Sequence, residues 1–257
     1  MDRVSYEAAV AEVRERIAAG EVYQANICRV LSAPADPIPD FHALGAALAR
    51  GNPAPYAAVV HAPAAGVAVA SASPELFLDR DESRVSSGPI KGTGVTAADL
   101  TDKDRAENVM IVDLVRNDLG RVAVTGSVEV ASLLRVEEHP GLVHLVSTVT
   151  AEVPPRVPWG DLLAATFPPA SVTGAPKSSA LRIIRALEPA PRGVYCGAVG
   201  AVDADRGRGT LAVAIRTFEW RDGRLHLGTG AGITWGSEPT REWQETELKV
   251  RNLMAVR

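Results

Sequence analysis

The stretch Tyr56-Ala-Ala-Val-Val-His-Ala62, followed by Gly66-Val-Ala-Val-Ala70 and then Leu76-Phe-Leu-Asp79, decides the fold class. Each piece is short and largely apolar, and the first two stand on either side of a turn, so each predicts a strand. Arg84 to Ser86 predicts another short strand. Upstream, Tyr6, Val10, Val13 and Ile17 recur at three- and four-residue spacing, which predicts an opening helix capped by Ser5 and ended by Gly20. Val22 to Leu31 reads as extended; a loop with Pro34, Pro37 and Pro39 and a short Ala/Leu helix up to Arg50 follow. Downstream, glycines punctuate Gly88 to Gly94, a helix is expected from Asp102 to Asp118, and strands at Val122 to Ala131 and Leu142 to Val153. A second helix begins near Pro176, because proline suits the first helical position, and carries Ala180, Ile183, Ile184 and Leu187 on one face. Strands are expected at Gly197 to Val202, Gly209 to Trp220 and Leu225 to Leu227, and a last helix from Glu238. This mixture has no regular βαβ rhythm, which argues for an α+β domain of antiparallel sheets flanked by helices. With no repeat, low-complexity stretch or linker, residues 1 to 257 read as a single domain.

The chain has 257 residues, 46% of them hydrophobic and 23% charged, which is ordinary for a globular protein. Nothing in its net charge of -4 suggests the basic surface expected of a nucleic-acid binder. Cys28 and Cys196 lie far apart and form no metal-spaced pair. No basic leader opens the chain and no apolar run is long enough to span a bilayer, so a cytoplasmic location is expected.

Two predicted helices each carry a pair of acids three residues apart, Asp104 with Glu107 and Glu242 with Glu245. Three residues is nearly one turn, so each pair shares a face and repels itself. Lys249 falls on the second face one turn further on. Either these are solvated faces or they hold a hard divalent cation such as Mg²⁺. Arg216, in Leu211-Ala-Val-Ala-Ile-Arg-Thr-Phe218, sits in an apolar run that predicts a strand buried on both sides. A buried guanidinium needs an anion, either a substrate carboxylate or an internal acid. Gly228-Thr-Gly-Ala-Gly-Ile-Thr234 reads as a glycine-dense turn, and Thr173-Gly-Ala-Pro-Lys177 as a helix start; each is a place for an anion or ordinary structure. Lys91, between glycines in a stiff turn, is either a loop lysine or an amine nucleophile. Glu75, among apolar strand residues, is either a structural acid or a proton donor.

Taken in order, these segments resemble the chorismate-binding enzymes. The resemblance is carried by Gly20-Glu-Val-Tyr-Gln-Ala-Asn26, Ser73-Pro-Glu-Leu-Phe77, Pro89-Ile-Lys-Gly-Thr93, Arg105-Ala-Glu-Asn108, Val112 to Gly120, His144-Leu-Val-Ser147, Thr173 to Lys177, Tyr195 to Gly200, Ala214 to Thr217 and Glu242 to Lys249. It implies two mainly antiparallel β-sheets packed together and flanked by helices, without the N-terminal region that family members usually carry ahead of the segment matching Tyr6. That region holds a tryptophan pocket in some relatives, so tryptophan feedback through it is not expected. The resemblance also implies Mg²⁺ as cofactor, bound through Glu107 and Glu245 with Asp104 and Glu242 nearby. It implies that Arg216 and Tyr195 hold the enolpyruvyl carboxylate of chorismate, helped by the Gly232 backbone and Lys249, with Thr173 and Thr93 also at the substrate. Glu75 matches the acid that assists loss of the ring hydroxyl.

Two positions discriminate within the family. Members that add water carry a lysine base where this chain has Gln24, and a glutamine takes no proton at neutral pH. Anthranilate synthases typically carry alanine where this chain has Lys91. Aminodeoxychorismate synthases carry the lysine, which is thought to attack the ring before ammonia displaces it. The resemblance therefore points to component I of that kind, feeding p-aminobenzoate and folate synthesis, with a glutamine amidotransferase subunit as the ammonia source. Anthranilate synthase chemistry is the alternative within the family, and a non-catalytic chorismate-binding scaffold the alternative of another class.

Overall fold

A computed structural model describes residues 1–139 and 142–256, without the side chains of Thr93, His139 and Leu142. The helices are α1 Arg3–Ala18, α2 Phe41–Gly51, α3 Asp102–Gly120, α4 Trp159–Thr166, α5 Lys177–Leu187 and α6 Pro239–Met254. The strands are β1 Gln24–Pro34, β2 Tyr56–Ala62, β3 Val67–Ser73, β4 Leu76–Asp81, β5 Arg84–Gly88, β6 Ile90–Gly94 and β7 Glu129–His139. They continue with β8 Leu142–Glu152, β9 Gly174–Ala175, β10 Ala198–Asp203, β11 Arg208–Val213, β12 Thr217–Arg221 and β13 Arg224–Ile233. They form a six-stranded sheet in the order β2-β3-β12-β13-β1-β9 and a seven-stranded sheet, β10-β11-β4-β5-β8-β6, with β7 also on β8. The expected α+β class, with antiparallel sheets flanked by helices, is what the chain adopts. The chain divides into two compact units, Met1–Pro74 with Val172–Val199 and Ala214–Arg257, and Glu75–Ser171 with Gly200–Val213.

The first unit holds the six-stranded sheet. Alternation sorts its residues, because successive strand side chains point to opposite faces. Ala25 and Ile27 of β1, with Ala231 and Ile233 of β13, join Tyr6, Val10 and Val13 of α1, Ile183 and Ile184 of α5, and Trp243 of α6 in one buried cluster. A second cluster gathers Phe41 and Leu48 of α2, Ala68, Ala70 and Ala72 of β3, Phe218 and Leu227. The helices thus take one face of the sheet. Gln24, Asn26 and Cys28, with Gly228, Gly230 and Gly232 paired opposite β1, fall on the other face.

In the second unit, α3 is fastened to β8 by Asn108. Its amide donates to the Leu145 carbonyl at 3.0 Å and accepts from the Ser147 hydroxyl at 2.5 Å, and Ser147 accepts from the Leu134 N–H. Among the described residues, no helix is long and apolar enough to cross a membrane.

Several expectations are corrected. The strand expected at Val122–Ala131 is turn up to Gly126, and β7 runs instead to His139. Helix α4 was not expected; its eight residues are too few to show a clear period. The run Gly209–Trp220 is broken between β11 and β12, where Arg216 takes φ 50°, because the chain there leaves one sheet for the other. Gly228–Ile233 is strand rather than turn. The first helix is capped by Asp2, whose carboxylate accepts from the Ser5 N–H, so Ser5 lies inside it. Pro176 is the residue before α5, with extended ψ of 142°, rather than its first helical residue.

Candidate active site

In the first unit, the start of β1 gathers several expected site residues. Gln24 pairs with Ala175 of β9, the Asn26 N–H donates to the Thr173 carbonyl at 2.8 Å, and Asn26 stands opposite Gly232. Gln24 is fully buried, and neither its amide oxygen nor its amide nitrogen has a hydrogen-bond partner among the described residues. Leaving such groups unsatisfied costs roughly 1–3 kcal/mol each, so the amide has hydrogen-bonding capacity to spare. Lys249 reaches from α6 to donate to the Gly230 carbonyl at 2.8 Å and meets Glu245 at 2.6 Å. Desolvation of the amine works to lower its proton affinity, but the charge and hydrogen bond of Glu245, with Glu242 and Cys28, together outweigh this and hold it as an ammonium. Glu242, on the same helix, is buried.

Tyr195 belongs to the turn ahead of β10, and its ring lies on Gly228. Burial pushes its phenol well above the ordinary tyrosine range, and the thiols of Cys28 and Cys196 add to the effect. It therefore stays a neutral O–H donor, suited to a carboxylate. A Cβ on Gly228 would overlap that ring. We expect Gly228→Ala to destabilise the protein by about 1–3 kcal/mol through overpacking, read as a lower urea midpoint with unchanged slope. An unchanged midpoint would mean that Tyr195 moves aside freely.

Arg216 is only partly buried, not enclosed on both sides as its apolar neighbours suggested. Its carbonyl still accepts from the Ala72 N–H at 3.0 Å. Its left-handed backbone belongs to the crossover, a conformation uncommon for a residue with a side chain and often found at functional positions.

In the second unit, Lys91 lies on β6, not in a turn, and its ammonium donates to the Ser171 carbonyl at 3.3 Å. The register with β8 shifts between Lys91 and Thr93, and Gly92 between them has φ 77°. A Cβ there would sit 2.9 Å from the Asp104 Cβ, so β6 lies tightly against the start of α3. Glu75 is buried and lines a small pocket together with Ser87, Pro89, Asp118, Thr166 and Ser171. Ser171 thus links the Lys91 ammonium to the pocket of Glu75. The side chain of Thr93, expected at the substrate, lies outside the described residues.

The acid pairs divide in character. Asp104 closes a capping box on α3, accepting from the Thr101 N–H at 2.8 Å and the Thr101 hydroxyl at 2.6 Å. Glu107 stands 3.6 Å from Lys103. Among the described residues, no group of three or more His, Cys, Asp or Glu side chains is placed to hold a metal ion. The donor set is nevertheless carboxylate oxygen, the type that Mg²⁺ takes.

Sequence reading assigned no role to the Asn108–Ser147 network, to Ser171, or to the ion pair of Arg192 with Glu188. In that pair the guanidinium donates to both carboxylate oxygens at 2.6 and 2.8 Å, and to the carbonyls of Asn26 and Val172. Asn108 and Ser147 do fall in quoted motifs, whereas Glu188 and Arg192 flank Pro189 and Pro191 outside any helix, so their four-residue spacing gave no signal. The carbonyl of Ser171 carries no sequence signal at all.

The family model described as chorismate binding enzyme matches residues 1–255. The chain is 42% identical to an anthranilate synthase component 1 of Haloarcula marismortui, over 98% of this chain and 53% of that protein. It is 39% identical to aminodeoxychorismate synthase component 1 of Escherichia coli K12, over 99% of this chain and 58% of that one. Its fold superposes on the crystal structure of anthranilate synthase component I from Streptococcus pneumoniae with a TM-score of 0.87, at 32% identity, covering 98% of this chain and 58% of that structure. The chain therefore spans between half and three fifths of the length of these relatives.

Proposed function

The chain belongs to the chorismate-binding enzymes, and from that premise we propose that it aminates chorismate to 4-amino-4-deoxychorismate. The observation that carries this reading is Lys91, an amine held on a strand at the Ser171 carbonyl, beside the pocket that the buried Glu75 lines. Both relatives named above fit the family, and Lys91 favours the aminodeoxychorismate synthase over the anthranilate synthase.

In this reading Lys91 first gives up its ammonium proton to solvent; Glu75 then gives a proton to the ring hydroxyl, which leaves as water while the neutral Lys91 amine bonds to the ring next to the carboxylate. Ammonia then attacks the carbon that bore the hydroxyl and expels the lysine. Two allylic displacements leave nitrogen where oxygen was. Arg216 and the neutral Tyr195 O–H hold the enolpyruvyl carboxylate, with Lys249 and the Gly232 backbone in support. Gln24 offers hydrogen bonds without taking a proton, which suits ammonia, already a nucleophile, better than water. A glutamine amidotransferase subunit is the proposed ammonia source and p-aminobenzoate for folate the proposed destination.

Magnesium is the proposed cofactor, with Glu107 and Glu245 as its ligands and Asp104 and Glu242 in supporting roles. When bound it supplies charge neutralisation of a substrate carboxylate. Exhaustive chelation should abolish turnover and added Mg²⁺ restore it, while Glu107→Gln and Glu245→Gln should each raise the Mg²⁺ concentration needed. Full activity after chelation removes magnesium from the reading.

The reaction is tested with chorismate, Mg²⁺ and a high concentration of ammonium salt, so that no amidotransferase is needed. 4-Amino-4-deoxychorismate should accumulate and a separate lyase should convert it to p-aminobenzoate. Fluorescent anthranilate as the main product would assign the other chemistry.

A further inference from the structure

The two cysteines, 168 positions apart, meet in the first unit with their sulfurs 3.9 Å from each other, both buried and both free. They are the only cysteines in the chain, and the reaction proposed above uses neither. Three features hold them there. Cys28 lies on the glycine-lined face of β1, and a Cβ on Gly230 would come within 2.7 Å of its sulfur, so the bare strand opposite makes room for the thiol. The Asn26 amide donates to the Cys28 sulfur at 3.0 Å, and the Cys28 N–H donates to Glu188 at 2.8 Å, which fixes the strand. Cys196 sits in the turn after Tyr195 with φ 65°, a left-handed conformation uncommon for a residue with a side chain.

We propose that Cys28 and Cys196 form a peroxide-oxidisable dithiol, whose disulfide acts through Tyr195 on the substrate site. A disulfide needs its sulfurs at about 2.05 Å, so the pair must close by roughly 2 Å. The Tyr195–Gly197 turn must carry part of that movement, since β1 is held at Cys28 by β13 and by the Glu188 carboxylate.

The pair is electronically unequal. Burial works against a thiolate at either sulfur, and it pushes Cys28 up. At Cys196 burial also raises the value, but the hydrogen bond shared with Cys28 and the nearby Arg192 charge together outweigh it and lower the value. We take Cys196, which sits on the turn that must move, as the attacking sulfur. Its thiolate displaces hydroxide from hydrogen peroxide and becomes a sulfenic acid; the hydroxide takes up a proton to leave as water. The Cys28 sulfur then attacks the sulfenic sulfur and a second water departs. Two thiols and one peroxide become one disulfide and two waters. A buried pair favours a small oxidant over a bulky disulfide such as glutathione's.

The test is peroxide treatment of the whole chain, then alkylation under denaturing conditions. Alkylatable thiols should fall from two to none per chain, with a Cys28–Cys196 cross-linked peptide that dithiothreitol reverses and no covalent dimer on a non-reducing gel. The Cys28→Ser variant should leave a sulfenic acid at Cys196 that dimedone traps. Two alkylatable thiols after peroxide, or over-oxidation without a cross-link, would overturn the site. These readouts need no turnover, so they stand apart from the proposed reaction. The consequence for the substrate rests on the assignment of Tyr195, and it is read as a several-fold rise in KM for chorismate that dithiothreitol reverses. A disulfide that leaves KM unchanged overturns the switch.

Discussion

Lys91→Ala is expected to slow 4-amino-4-deoxychorismate formation roughly 10³-fold, about 4 kcal/mol at 1.36 kcal/mol per tenfold. The substitution removes the amine that would hold the ring through the first displacement, while the β6 backbone pairing to β8 does not depend on that side chain. The loss should therefore fall on kcat rather than on stability. Any residual turnover should shift toward anthranilate, because an amine next to the ring carboxylate occupies the place from which ammonia would attack to make that product. Mass spectrometry of the native protein without ammonia should reveal a substrate adduct on Lys91 where the intermediate persists. A folded Lys91→Ala protein with native rate and product would return Lys91 to a structural role, tied only to the Ser171 carbonyl.

Arg216→Ala is expected to raise the KM for chorismate while leaving the protein folded. Breaking a desolvated, hydrogen-bonded charge pair costs about 2–5 kcal/mol, which is roughly 30- to 4,000-fold in affinity at 1.4 kcal/mol per tenfold. The partial burial of Arg216 places the effect toward the lower end. Arg216→Lys keeps the charge but loses the planar two-point grip, so it should recover only part of the loss. If the alanine variant is kinetically normal, or loses its thermal transition, the guanidinium serves the fold instead. Removing the side chain does not alter the carbonyl contact to Ala72, which separates the two outcomes.

The strands and helices with a clean period were legible in the residues. Tyr56–Ala62 was placed to the residue, and the expected Asp102–Asp118 helix differs from α3 only by its last two residues. Misreadings occurred where composition and conformation part company. The glycines at 228, 230 and 232 suggested a turn, yet they are one face of β13, spaced by two so that Tyr195 and Cys28 can lie close to it. The run through Arg216 read as one strand because both flanks are buried, although the ladder breaks there. Asp104 looked like half of a repelling pair, but its carboxylate is taken by Thr101 three residues before it.

By itself the sequence determined the α+β class and the family resemblance, and it marked Gln24 and Lys91 as the residues on which the proposed chemistry rests. These depend on residue type, order and short-range period, which are local properties of a chain. Only the tertiary structure decided that the Gln24 amide is buried without a partner among the described residues, that Lys91 meets the Ser171 carbonyl, and that Cys28 and Cys196 stand 3.9 Å apart. Burial, backbone acceptors and contacts between residues 168 positions apart depend on which faces the folded chain brings together. No local pattern specifies that.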